Sequence, residues 1–582
     1  MHKGWSMKKK RSPVLLVLTI AVFVAAAGAV WFVWDHFTPT RERMAPGSYF
    51  GTDGEDRFGI VTENGTSKTA GKRFDGEDYL PVSVVGEGIC PSLFYDEAEE
   101  ELIITTPTTM ESFDLDERYD IIRTDGEETF ISRAFVEKYA EAEWLDFAEP
   151  DRLVVKTVFA YPLQDTAKDA VVRYRAGIKS PIITDLPAGT AVRNLDADAE
   201  GKLLGSKIEG WTHVLTEDGY RGYVQDEYLA ENVYMKEDTH EYTEEPYSHI
   251  LLDGPVSMVF HQTTSGEAND ALAVTAGGME GVNVIAPTWF FLENENGEMS
   301  SLASASYVRT AHEMGLSVWA VANDFDGAVN SASSTAAVLK SSAARSRIIS
   351  DIFMNLLMVG ADGICLDFEK VNAETAPYYL EFIREMSVMA RNSGIVLSIC
   401  CYVPTYTKYL GRAEMARVAD YVITMCYDEH NAGSEKAGPV ASLPFVKKGI
   451  EDTLAEVPGE QTIAALPFYT RLWTTGENGS VKSRAMGLRE TAAYIADNGM
   501  SVTKDEKSGL PYAMRKGVDG TYEIWQENAE TLADKLAVVR EEKIAGAAYW
   551  KLELAEDSVW GLLSGFISGG ELTVSVSGNS AG

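Results

Sequence analysis

Ala361-Asp362-Gly363-Ile364-Cys365-Leu366-Asp367-Phe368-Glu369 is a short apolar run that closes on two carboxylates. A run of this kind without proline reads as a strand buried on both faces, and side chains two residues apart point the same way. Residues 365, 367 and 369 therefore share a face, and Asp367 and Glu369 project together from the strand's carboxyl end. Similar runs flank it on both sides: VSMVFHQ (256–262), GVNVIAPTWFFL (281–292) and GLSVWAVAND (315–324) before it, then GIVLSICCYVP (394–404), DYVITMCYDEH (420–430), TIAALPFYTRLW (462–473) and AGAAYWKLE (545–553). Between them lie segments of helical length, among them Thr335–Met358, Ala376–Asn392 and Ala413–Ala419. This alternation predicts a (β/α)8 TIM barrel over residues 247–568. The gap from Trp473 to Ile544 is too long for one helix and predicts an α+β insertion beside the cleft.

In such a barrel the working groups come from the carboxyl ends of the strands and the loops after them. Two carboxylates as close as Asp367 and Glu369 oppose each other's ionisation, so one of them keeps a proton at neutral pH, as a general acid requires. Most Asp and Glu residues are solvated surface groups. Two acids in an otherwise apolar strand are costly to bury without a role, which favours catalysis.

The run resembles the D-G-x-D-x-D-x-E signature of glycoside hydrolase family 18, the chitinase and N-acetylglucosaminidase family, with Asp362, Gly363, Asp367 and Glu369 matched. The resemblance implies that Glu369 protonates the glycosidic oxygen while the substrate's own N-acetyl oxygen attacks the anomeric carbon, with retention. It implies that Asp367 orients the acetamide and stabilises the positive intermediate. Met425-Cys426-Tyr427-Asp428 resembles the family's M-x-Y-D, which makes Tyr427 a hydrogen-bond donor to the acetamide carbonyl. Ala548-Tyr549-Trp550 puts Trp550 where the family places the floor under the reactive sugar, and aromatic faces suit pyranose rings. Asp362, Asp428, Trp289, Tyr402 and Tyr469 join Trp550 as candidate substrate-binding residues. Phe468 and Trp473 also fall at strand ends; each of these other aromatics is alternatively core.

The stretches NVIAPTWFFL, ICLDFE, MCYDEHNAGSEKAGPVA, ALPFYTRLW, EIWQEN and AAYWKLE resemble the spore-germination, cortex-lytic branch of the family more closely. That branch implies an N-acetylglucosamine-containing polysaccharide, peptidoglycan in preference to chitin, as the partner. One position departs from the pattern: Cys365 stands where chitinases carry the signature's middle aspartate. A thiol is a weak hydrogen-bond partner, so Asp367 is held less firmly. The alternative function is therefore a catalytically weak or inactive cell-wall glycan-binding protein that keeps the cleft.

The remainder of the 582-residue chain is too long to share one core and divides into further modules. Pro13–Trp34 is 22 residues without a charge, long enough to cross a hydrocarbon layer, preceded by Lys3, Lys8, Lys9, Lys10 and Arg11. It reads as a single-pass transmembrane signal-anchor with residues 1–12 cytoplasmic and the rest exported to the outer face of the cell membrane. A cleaved signal is the other reading, since Ala25-Ala26-Ala27 offers small residues, but the apolar run continues past them. The few residues before Pro13 leave no room for a signalling output domain.

Residues 48–157 carry a weak duplication: Asp75-Gly76, Tyr79-Leu80 and Leu102-Ile103-Ile104 recur as Asp125-Gly126, Phe130-Ile131 and Leu153-Val154-Val155, offset by 50 to 51 residues. This α+β region resembles the stalk-like N-terminal repeat of copper amine oxidases, a likeness that implies no copper. Residues 166–235 alternate short β-rich runs with turns, and the order Leu186-Pro187-Ala188-Gly189, Gly210-Trp211, Gly219-Tyr220-Arg221-Gly222-Tyr223-Val224 resembles a bacterial SH3-like β-barrel. Such domains often bind cell wall; Trp211 and Tyr223 are alternatively core. Residues 236–246 form an acidic linker and 569–582 a small, polar tail.

The net charge of −37, despite the basic leader, makes the exported part acidic and excludes nucleic acid as a partner. Five cysteines show no disulfide spacing and read as buried thiols. No His or Cys cluster has ligand spacing, so no metal and no other cofactor is expected.

Overall fold

The computed structural model describes residues 36–52, 56–114, 120–198, 201–205, 207–239, 245–518 and 520–574. No helix among these is long and apolar enough to cross a membrane. The expected span Pro13–Trp34 lies outside the described residues. The chain forms two compact units, Met1–Pro91 with Arg118–Glu244, and Ser92–Glu117 with Glu245–Gly582.

The first unit holds two sheets. One runs in the order Glu143–Ala148, Asp151–Lys156, Arg57–Thr62, Gly71–Phe74, Glu77–Pro81, Glu128–Ser132, Ile122–Asp125, with only the Arg57–Thr62 and Asp151–Lys156 pair parallel. The duplicated Asp-Gly pairs are its hairpin turns: Asp75, Gly76 and Gly126 all take positive φ, which glycine permits freely and aspartate tolerates. The other sheet has seven strands between Ala160 and Glu237, folded over Val172, Val192, Val214 and Val224. Strand alternation turns Val214 and Val224 inward and leaves Trp211 and Tyr223 half-exposed, Tyr223 stacked on His213 at 4.7 Å. Those two aromatics are thus outside the core.

The second unit is built on β1 (Val256–His261), β2 (Val284–Leu292), β3 (Ser317–Asn323), β4 (Gly363–Asp367), β5 (Val396–Tyr402), β6 (Tyr421–Met425), β7 (Thr462–Pro467) and β8 (Gly546–Trp550). Each pairs in parallel with the next, and β8 returns to β1, so the sheet closes into an eight-stranded barrel. Burial explains the sequence: every residue of β1, β4, β6 and β7 is buried, which parallel strands covered by helices demand. Where β8 meets β1 only glycine fits, because a Cβ on Gly546 would lie 2.0 Å from the Val256 carbonyl oxygen.

The helix expected over 335–358 is two helices, Ala332–Leu339 and Ser342–Val359. The break falls at Ser341, whose hydroxyl accepts the Ala344 N–H as an N-cap. Between β7 and the helix Ala529–Glu541 lies the insertion, a five-stranded antiparallel sheet with the helix Leu488–Asp497 and its own small core of Leu472, Met486, Ile495, Ala513 and Ile524.

The compact units also cross a boundary expected from sequence. Leu93–Asp96, Glu101–Thr105 and Met110–Asp114, which fall inside the duplicated region, form a three-stranded sheet of the barrel unit. Buried Asp96 and Glu385 both pair with buried Arg345, at 3.2 and 2.9 Å, and the Thr105 hydroxyl donates to Glu381 at 3.1 Å.

Candidate active site

β4 delivers Asp367 as its last residue and Glu369 two positions on, at the carboxyl end of the barrel. Asp367 is buried, and burial first, then the neighbouring Glu369 charge, pushes its pKa well above the ordinary carboxylate range. Its Oδ1 finds no hydrogen-bond partner. Glu369 is half-buried, and desolvation raises its pKa too, opposed by the Tyr402 hydroxyl, which donates to Oε2 at 2.7 Å. Tyr402 ends β5, so adjacent strands carry the acid and its hydrogen-bond partner. Burial thus biases both carboxyls toward the protonated form.

The departure at Cys365 is matched by a second thiol. Cys365 on β4 and Cys400 on β5 are both buried, with sulfurs 3.4 Å apart. All five cysteines are buried thiols.

β6 ends at Met425, placing Tyr427 and Asp428 in the loop after it. Tyr427 is buried, and that burial pushes its hydroxyl pKa well up, so it stays a neutral donor. Asp428 sits at φ 57° and accepts from the Tyr469 hydroxyl at 2.6 Å, while the Tyr427 and Tyr469 rings meet edge to face at 6.2 Å. Trp550, at the end of β8, is half-buried and packs against Phe260 at 5.3 Å. Asp367, Glu369, Tyr402, Tyr427, Asp428, Tyr469 and Trp550 thus all lie at or just beyond the carboxyl ends of β4 to β8.

Two expected substrate-binding residues lie elsewhere. Asp362 precedes β4, at the amino end of the barrel, where it accepts the Val318 N–H at 2.7 Å and contacts His312 Nε2 at 2.8 Å. Five residues of strand, about 16 Å, separate it from Asp367. Its work is to tie β3 to β4. Trp289 is fully buried within β2, its indole N–H donating to Asn269 Oδ1 at 2.9 Å, and is a core residue. Phe468 and Trp473 are also core: Phe468 stacks on Tyr549 at 5.1 Å, and the Trp473 N–H donates to the Gly438 carbonyl.

Asp324, next to the end of β3, joins the site although no motif points to it. It is fully buried, and it accepts the Glu369 N–H at 2.8 Å and the Thr335 hydroxyl at 2.8 Å. The signal available was its place as the last residue of the third run, a strand's carboxyl end.

Residues 325–555 match the model of Glycosyl hydrolases family 18. YdhD of Bacillus subtilis (strain 168), named as a sporulation-specific glycosylase, is 28% identical over 232 residues, covering 37% of this chain and 53% of the relative. The cortical fragment-lytic enzyme of the same organism is 24% identical over 236 residues, 39% of this chain and 54% of that protein. The match thus spans about half the length of each of these relatives. Among solved structures, the Bacillus cereus spore cortex-lytic enzyme SleL is 19% identical, with a TM-score of 0.49 over 56% of this chain and 78% of that one. Residues 325–555 of this chain are a domain of glycosyl hydrolases family 18.

Proposed function

We propose that the barrel is a retaining glycosidase that cleaves β-1,4 linkages of N-acetylglucosamine-containing glycan, with Glu369 as proton donor. The observation that carries this reading is the pair of acids at the end of β4, a buried Asp367 and, two residues on, a half-buried Glu369 whose Oε2 accepts from the Tyr402 hydroxyl at 2.7 Å. Glu369 gives its proton to the glycosidic oxygen. The substrate's N-acetyl oxygen attacks the anomeric carbon, the Asp367 carboxyl orients the acetamide, and the Tyr427 hydroxyl donates to the acetamide carbonyl. Trp550 lies under the reactive sugar, and Asp428, held by Tyr469, lines the same mouth.

Peptidoglycan is the preferred substrate, with chitin-type oligomers as short analogues; the cortex-lytic and sporulation names of the relatives support this choice. The apolar run Pro13–Trp34 supports a membrane anchor with the barrel outside the cell. The SH3-like and stalk-like resemblances support wall binding and spacing of the catalytic unit from the bilayer.

Cys365 favours the second reading, a wall-binding protein with little turnover. Release of reducing sugar from purified peptidoglycan and from N-acetylglucosamine oligomers by the full chain, beside Glu369→Gln, separates the two. The glycosidase reading expects turnover that falls about 10²- to 10⁴-fold in the variant, the usual contribution of a general acid. Glycan binding without turnover in both proteins would establish the binding role instead.

A further inference from the structure

Asp324 has no exposed surface, and its three hydrogen-bond donors are all protein groups. Oδ1 accepts the Glu369 N–H at 2.8 Å; Oδ2 accepts the Lys370 N–H at 3.1 Å and the Thr335 hydroxyl at 2.8 Å. A carboxyl group this deep is retained only where donors are aimed at it. Two of these donors are the backbone of the proton donor itself and of its neighbour.

We infer that Asp324 is the positioning residue for Glu369: from the end of β3 it clamps the backbone at 369–370 and so fixes the direction in which the Glu369 carboxyl leaves β4. The loop after β4 has left the ladder of the sheet, so without this clamp its N–H groups at 369 and 370 would lose these buried partners. Thr335, at the start of the next helix, in turn orients Asp324 through its hydroxyl. Burial raises the Asp324 pKa against the pull of its three donors, and in its ionised form Asp324 adds a second effect, since a nearby carboxylate opposes ionisation of Glu369. The other groups acting on Glu369 are Asp367 from β4, Tyr402 from β5, Asp428 after β6 and the adjacent Lys370.

The consequence for turnover rests on the glycosidase reading; the clamp itself does not. Two readouts on the full chain keep them apart. In the first, Asp324→Asn keeps the shape but removes the charge and one acceptor, and kcat is expected to fall about 100-fold with KM little changed, the order of loss that a displacement of about 1 Å brings to a reacting group. In the second, carbon-13 NMR follows the Glu369 carboxyl, assigned by difference from Glu369→Gln, and its titration midpoint moves to lower pH in Asp324→Asn. Thr335→Val, which removes one donor and leaves both backbone bonds, moves it the same way by less and carries the test should Asp324→Asn not fold. A folded variant with an unmoved midpoint, or with stability lowered while kcat and the pH profile stay unchanged, would overturn the proposal. A parent protein without turnover would remove the glycosidase reading and leave the NMR test standing.

Discussion

Tyr402 and Asp367 carry opposite lessons about how this site sets its protonation. The Tyr402 hydroxyl stabilises the ionised form of Glu369 and lowers its pKa against the larger effect of burial. Tyr402→Phe is therefore expected to raise the Glu369 pKa and move the alkaline limb of the kcat/KM profile to higher pH, measured on soluble oligomers; a limb that moves down would refute the assignment. Asp367 is a buried acid whose folded pKa is raised, so the stability it contributes is complete below its unfolded pKa and is lost as pH rises toward the folded value. Asp367→Asn should thus unfold at higher denaturant concentration than the parent near neutral pH, by about 1.4 kcal/mol for each pH unit over which folding keeps the acid protonated, and show no such gain near pH 4. The same variant should lose turnover. Asp367 was legible in the sequence because strand alternation places it on one face with Glu369, and Tyr402 only as an aromatic at the end of an apolar run that could equally be core. Asp362 was misplaced for a related reason: the motif names it beside the acids, yet a strand's length carries it to the other end of the barrel.

The strands were the most legible elements. Each of the apolar runs is a barrel strand, because a parallel strand covered on both faces must be apolar along its length. Helix ends were less so, as Ser341 shows: a serine inside a helical pattern becomes an N-cap only when the next helix turns away. The three-stranded sheet was invisible as part of the barrel unit. Its link, Asp96 to Arg345 to Glu385, joins side chains that neither periodicity nor spacing relates. Arg345→Met would leave two carboxyls buried without their cation, and equilibrium denaturation should show a loss of about 3 to 5 kcal/mol. A loss under about 1 kcal/mol, the scale of exposed pairs, would show that water reaches the site.

At the scale of the whole molecule the catalytic unit is discontinuous, since Ser92–Glu117 belongs to it although the barrel itself begins beyond Glu245. A fragment starting at Glu245 removes that sheet and strips Arg345 and Glu381 of Asp96 and Thr105. It is expected to melt at lower temperature than the barrel in the full chain, by calorimetry, or to aggregate; an equal melting temperature would show the sheet to be an accessory. By itself the sequence determined the barrel, the insertion and the acid pair, because these follow from local periodicity and from a motif confined to one strand and its exit. Only the tertiary structure decided that Trp289 is core, that Cys400 stands behind Cys365, that Asp324 holds the Glu369 backbone and that residues 92–117 join the barrel. Each of these is a contact between segments distant in the chain, whose partner is chosen by closure of the barrel and by the cost of leaving a buried polar group unpaired.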